Sequence, residues 1–227
     1  MKENQYISYG GGVNSTTFLV LEETKYDEAV FVNHGGDYPY TYNYIDYLEK
    51  KGFNITTIIP EVTRKGITYN DLYDYCTGNK ILPFRTRRWC TGEFKVTPVR
   101  KYVEKPSIIS IGFDFGEVRR MNNMLKKKYH GITYKFPLIK NRFSRQDCKD
   151  IIRDAGLKVP EKSGCYFCPF QSKRELKKLY NDYPELYIKT KFLEENVEGS
   201  KPTYLRYEKP LDTIVGADTH KLEDWSE

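Results

Sequence analysis

The sequence predicts an α/β fold with a mostly parallel sheet flanked by helices. Three observations carry it. Apolar, β-branched runs (YISY at 6–9, EAVFV at 28–32, NITTIIP at 54–60, SIISIGF at 107–113) alternate with stretches of helical pattern. That alternation is the signature of βαβ units. The runs read as continuous apolar blocks, as expected for strands buried on both faces. The first run breaks into three glycines, Gly10, Gly11 and Gly12, and then into Asn14, Ser15 and Thr16, the form of a tight strand-to-helix turn.

Taken in order, YISY is the first strand, and a helix follows the glycine turn to about Glu23. EAVFVNHG is the second strand and its loop, TYNYIDYLEKKG is a tyrosine-rich helix, and NITTIIP is the third strand. The segment from Val62 to Glu93 carries few strand signals and many Tyr, Arg and Lys, and reads as a long insertion or active-site cover. SIISIGF is a further buried strand. From about Lys158 the pattern turns helical and charged, so the expected division is an α/β domain over 1–157 and a small helical, cysteine-containing C-terminal lobe over 158–227. In open parallel sheets ligands bind beyond the carboxyl ends of the strands, which points to the glycine turn, to Asn33 and His34 after the second strand, and to Phe113 and Asp114 after SIISIG.

With 227 residues and 39% hydrophobic content, the chain can bury one sizeable core. No apolar run approaches the roughly eighteen residues that would suggest a membrane span, and MKENQYISY has no signal-peptide core, so a cytoplasmic protein is expected. A net charge of +6 favours anionic partners without separating nucleic acid from small phosphorylated molecules. The KKKYH run at 126–130 reads as a solvated face or a guide for a nucleic-acid backbone. His34, His130 and His220 are too scattered for a histidine metal site.

The glycine turn has the chemistry of an anion site. Glycines let the backbone approach a phosphate, and helix N-terminal amides point their positive ends at it. A Walker A loop needs Lys where Asn14 stands, and the dinucleotide fingerprint needs Gly where Ser15 stands. Cys165 and Cys168 in SGCYFCPF form a C-x-x-C pair. With Cys90 and Cys148 they supply four sulfur ligands, a set that suits tetrahedral zinc or a [4Fe–4S] cluster, with Cys76 a further candidate.

Several segments in one order resemble the phosphoadenosine phosphosulfate reductase-like branch of the PP-loop ATP pyrophosphatase superfamily, the adenine nucleotide alpha hydrolase-like proteins. GGGVNST at 10–16 is similar to the family's SGGxDS turn, with Gly10 for Ser and Asn14 for Asp. VFVNHGGDYPYTYNYIDYL resembles the second strand and loop, with Asn33, His34 and Gly35 where Asp-Thr-Gly is common. RRWCTGEFKVTPVRKYV resembles the segment with a Cys, a Lys and a Pro, here Cys90, Lys95 and Pro98. IGFDFGEVRRM, FPLIKNRFSRQDCKDII and SGCYFCPF are similar to the later motifs, and together the matches run from about residue 5 to 190.

The resemblance implies a Rossmann-like sheet of the HUP type that binds ATP, or another adenine nucleotide, with Mg²⁺. Gly10, Gly11, Gly12, Asn14, Ser15 and Thr16 are then the phosphate cradle, Asn33, His34, Gly35, Gly112 and Glu117 further nucleotide contacts, and Lys95, Arg119 and Arg120 the catalytic cations. A neutral Asn14 holds a metal less well than an Asp. For the metal ligands Cys90, Cys148, Cys165 and Cys168 the resemblance favours the [4Fe–4S] cluster over zinc. The activity it implies is ATP-dependent adenylation and sulfur transfer to a nucleic acid, tRNA or DNA, with an unidentified sulfur donor or redox partner. A homodimer is compatible with the sequence. The rival is reduction of an adenylylsulfate-type nucleotide, which uses a C-terminal cysteine that the tail THKLEDWSE lacks. A third reading is a nucleotide- or nucleic-acid-binding module with structural zinc and no turnover.

Overall fold

A computed structural model describes residues 3–21, 25–197, 204–206 and 209–216. The expected end of the first helix at Glu23, His220 and the THKLEDWSE tail lie outside the described residues. In chain order the elements are β1 (Asn4–Tyr9), α1 (Val13–Val20), β2 (Glu28–Val32), α2 (Pro39–Lys50), β3 (Ile55–Ile58), β4 (Val62–Arg64), β5 (Ile67–Tyr69), α3 (Leu72–Gly78) and α4 (Trp89–Thr91). A π-helical turn (Gly92–Val96) leads to α5 (Thr97–Tyr102), then β6 (Ser107–Ile111), a 3₁₀ turn (Phe115–Glu117), α6 (Val118–Leu125), β7 (Ile132–Lys135), α7 (Pro137–Lys140), α8 (Arg145–Asp154), α9 (Lys173–Asp182), α10 (Pro184–Glu195) and α11 (Leu211–Val215).

The chain groups into two compact units, Met1–Asn33 with Asp37–Ile59 and Lys95–Ser163, and His34–Gly36 with Pro60–Phe94 and Gly164–Glu227. These bounds differ from the expected division at residue 157, because Pro60–Phe94 clusters with the C-terminal segment.

The first unit is built on a five-stranded sheet, order β3-β2-β1-β6-β7, in which every pairing is parallel. Period-two alternation divides its side chains between two apolar layers. Ile7, Tyr9, Ala29 and Phe31 join Phe18 of α1, Ile45 and Leu48 of α2, and Cys148 and Ile152 of α8. Tyr6, Val30, Val32 and Ile109 join Val99 and Val103 on the α5 side. Helices therefore flank the sheet, a Rossmann-like arrangement. α1 lies along α8, where the Thr17 hydroxyl is within reach of Val13 O at 3.0 Å and Cys148 O at 3.3 Å. The strand β7 was not expected, although ITYK alternates apolar and polar residues.

The second unit contains a β4–β5 hairpin turned at Lys65 and Gly66, both at positive φ, in the segment expected to be poor in strands. Tyr75 of α3 centres an aromatic group with Tyr69, Trp89 and Phe94. Helices α9, α10 and α11 pack together, and the buried Tyr187 bonds to Asp212, which also pairs with Lys191 at 2.9 Å. Among the described residues no helix is long and apolar enough to cross a membrane.

Ile152 is fully buried beneath α1. Replacing it with Ala is expected to lower the unfolding free energy by about 2–4 kcal/mol in urea titrations followed by circular dichroism. A loss below about 1 kcal/mol would mean that α8 does not seal this layer.

Candidate phosphate-binding cleft

The strand order reverses direction between β1 and β6. From β1 the chain proceeds outward through β2 and β3, and from β6 it proceeds the other way to β7. Such a switch point leaves a crevice beyond the carboxyl ends of the two central strands. There the first unit has a cleft of about 500 Å³, lined by Gly10 and Gly12 to Ser15 from the β1–α1 turn, by Ile111 to Phe113 from the end of β6, and by cationic side chains around them.

The turn is shaped to leave backbone amides open. Gly12 is the N-cap of α1 and provides no side-chain cap, so the first-turn amides of Val13, Asn14 and Ser15 have no intrahelical acceptor. By contrast, α8 and α9 begin with capping boxes, Ser144 with Asp147 and Ser172 with Glu175. The Ser144 contacts also hold the Asp147 carboxyl below its usual range. The Ser15 hydroxyl braces the turn by accepting from Gly10 N–H at 3.2 Å and donating to Gly12 O at 3.1 Å. Thr16 is fully buried, with its hydroxyl 3.1 Å from the Tyr9 hydroxyl; burial raises the Tyr9 pKa, so Tyr9 is a neutral phenol here. Gly11 has φ +67°, and a Cβ there would meet Thr41 Cγ2 at 2.6 Å. At Gly112 a Cβ would lie 3.1 Å from Ser15 N, so the absent side chain is what lets β6 end against the first turn of α1.

Asn14 ties these pieces together. Its Nδ2 donates toward Gly112 O at 3.2 Å, Asp114 Oδ2 at 3.0 Å and Glu117 Oε2 at 3.4 Å, while its Oδ1 lies 3.5 Å from Arg145 Nη1. Facing three acceptors, the Asn14 NH₂ points donors at its neighbours and its oxygen at Arg145, so residue 14 does not fit a Mg²⁺ ligand.

Among the described residues four cationic side chains line the cleft: Lys95, Arg120, Arg145 and Lys162. Lys95 pairs with the buried Asp37 at 3.6 Å. Arg120 pairs with Glu117 and lies over the Phe113 ring at 4.3 Å. Arg145 and Lys162 were missed from the sequence. The capping box SRQD marked the helix start that positions Arg145, but no local pattern pointed to Lys162.

Other expected residues fall elsewhere. Arg119 is exposed on α6 and does not line the cleft. Asn33 ends β2 with its amide on Ile58 O. His34 and Gly35 belong to the second unit, where His34 is buried, Nδ1 accepts from Gly36 N–H at 3.1 Å, and Gly35 abuts Asp71. That carboxylate caps α3 through the amides of Tyr73 and Asp74, and burial pushes its pKa up.

The cysteines also separate. Cys148 is a core residue of the first unit, and burial raises its thiol pKa. Its expected place among metal ligands becomes one of packing. Cys90, Cys165 and Cys168 lie half-buried in the second unit with the buried Cys76, and no disulfide joins them. Cys165 and Cys168 share a turn closed by Cys168 N–H on Cys165 O at 3.1 Å, and Cys165 Sγ is 3.7 Å from His34 Nε2. Among the described residues no three cysteines of this unit bring their sulfurs within 4.8 Å of one another.

No model of a known protein family matches the chain. It is similar to an uncharacterized protein of Methanocaldococcus jannaschii, at 24% identity over 204 residues that cover 80% of this chain and 45% of that protein. The chain thus spans less than half the length of that relative.

Gly10 and Gly112 separate geometry from composition, because a Cβ at Gly10 meets nothing within 4 Å. Gly112→Ala is expected to cost about 1–3 kcal/mol by pressing on the first turn of α1. Gly10→Ala should change stability by less than about 0.5 kcal/mol. Equal losses in thermal melts would refute the close packing of β6 on α1.

Proposed function

We propose that the chain is an adenine-nucleotide-dependent enzyme of the PP-loop type, with a sheet of the HUP class, which activates an acceptor by adenylation. One observation carries this reading: the uncapped N-terminus of α1 opens into a cleft at the β1/β6 switch point that is lined by four cationic side chains among the described residues. Such a site is matched to the phosphates of a nucleotide. The order of motifs from the glycine turn to SGCYFCPF supports the adenine nucleotide over other phosphate compounds.

In the proposed reaction an acceptor oxygen attacks the α-phosphorus of ATP, the bond to the pyrophosphate oxygen breaks, and the acceptor gives up its proton. Negative charge grows on the departing pyrophosphate. The α1 amides stabilise the α-phosphate, and Lys95, Arg120, Arg145 and Lys162 stabilise the departing charge. Arg120 and Lys95 are oriented for this by Glu117 and Asp37. The proposed acceptor is a nucleic acid, tRNA or DNA, and in the proposed outcome sulfide-level sulfur from a separate donor attacks the adenylated position, AMP leaves with the oxygen, and sulfur takes its place. Cys90, Cys165 and Cys168 would hold a [4Fe–4S] cluster, which when bound supplies sulfur or electron chemistry.

Arg120→Ala is expected to weaken ATP binding about tenfold in calorimetry, and Arg119→Ala less than about twofold, since only Arg120 lines the cleft. With candidate tRNA or DNA, ATP should yield pyrophosphate; binding without any release would leave a nucleotide-binding module. Anaerobic purification should give about four iron and four sulfide per chain, lost in Cys165→Ala. Zinc alone would sink sulfur transfer by a cluster.

A further inference from the structure

We propose that Asn14 makes phosphate binding in this cleft independent of any divalent cation held by the protein, with Arg145 supplying the positive charge in its place. The inference rests on the nucleotide reading above and concerns how that same site holds the phosphates.

Asp114 and Glu117 look at first like a cation site beside the α1 turn, but each of their four oxygens already accepts a hydrogen bond. Asp114 Oδ1 accepts from Gly116 N–H at 3.0 Å, and Oδ2 from Asn14 at 3.0 Å. Glu117 Oε1 accepts from Arg120, and Oε2 from Asp114 N–H at 3.3 Å and Asn14 at 3.4 Å. The Asn14 NH₂ therefore occupies the space between the two carboxylates where a cation would have to sit. The amide cannot turn over without setting its oxygen against both carboxylates and Gly112 O, and a carboxylate at position 14 would do the same with a full charge. In its present orientation the amide oxygen faces the guanidinium of Arg145, the first helical residue of α8. Arg145 lines the cleft and is an exposed residue, so its guanidinium is available to a phosphate.

Calorimetric titration of the whole 227-residue chain with ATP, in magnesium-free buffer and in buffer with Mg²⁺, tests the inference. Wild-type affinity is expected to be the same within about threefold in both buffers, or tighter without Mg²⁺, because free ATP carries more charge. Arg145→Ala should lose about tenfold in both. Asn14→Asp should bind at least about tenfold more weakly without Mg²⁺ and recover when it is added, since three neighbouring carboxylates need a cation between them. Circular dichroism establishes that each variant is folded, and the wild-type and Arg145→Ala titrations decide the matter if Asn14→Asp is not. Wild-type binding that needs Mg²⁺ by tenfold or more, Arg145→Ala binding like wild type, or Asn14→Asp binding like wild type without Mg²⁺ would each overturn the inference while leaving the nucleotide site standing. Absence of ATP binding by the wild type in both buffers would refute the nucleotide reading itself, and this inference with it.

Discussion

The first unit depends on the contact between the end of β6 and the first turn of α1. Gly112 has no side chain, and Ser15 N occupies the space 3.1 Å from where its Cβ would be. Because the two backbones meet there, the side-chain amide of Asn14 can reach Gly112 O, and from it Asp114 and Glu117 beyond the strand. The 3₁₀ turn, and α6 after it, are thereby fixed against the glycine turn. On its other side α1 is held by α8 through Thr17 and the layer containing Cys148 and Ile152. The open amides thus sit on a helix clamped along its length, the rigidity that the proposed phosphate site requires.

What the sequence made legible was local and periodic. β1, β2 and β6 appeared as apolar runs because a strand buried on both faces has little room for polar residues, while the edge strand β3 was legible from its β-branched ITTI. The glycine turn was legible because few other residues allow so tight a passage from strand to helix. The half-exposed edge strand β7 gave a weaker pattern over ITYK, and the hairpin β4–β5 is too short to show a period. Site residues brought in from distant segments were the least legible. Arg119 and Arg120 are neighbours in sequence, but successive helix residues point about 100° apart, and only Arg120 reaches the cleft. Arg145 and Lys162 enter through the placement of α8 and the segment after it, which no spacing rule encodes.

The cysteines follow the same division. Cys165 and Cys168 are set by one turn, closed by a backbone hydrogen bond and by Gln171 Nε2 on Tyr166 O at 2.6 Å, so their spacing in sequence carries their relation in space. The assignment of Cys148 rested on its place shortly before the pair. Its helix instead needs an apolar residue facing α1, and a cysteine meets that need as a small hydrophobe. Burial among these apolar side chains, which also raises its thiol pKa, places Cys148 in the packing of the layer.

The charges of the cleft are less positive than their number suggests. Arg120 is tied to Glu117 and Lys95 to Asp37, so these two cations are held in place at the cost of part of their net charge. In the proposed phosphate site, carboxylates that orient cations are useful only if they do not repel the phosphate. Asn14 answers this for the inner pair by giving its NH₂ to both Asp114 and Glu117, drawing their oxygens toward the protein while its own oxygen faces Arg145. A single charge added at position 14 would undo three contacts together. The identity of that residue is therefore bound to Asp114 and Glu117, and exchanging it alone tests the whole arrangement.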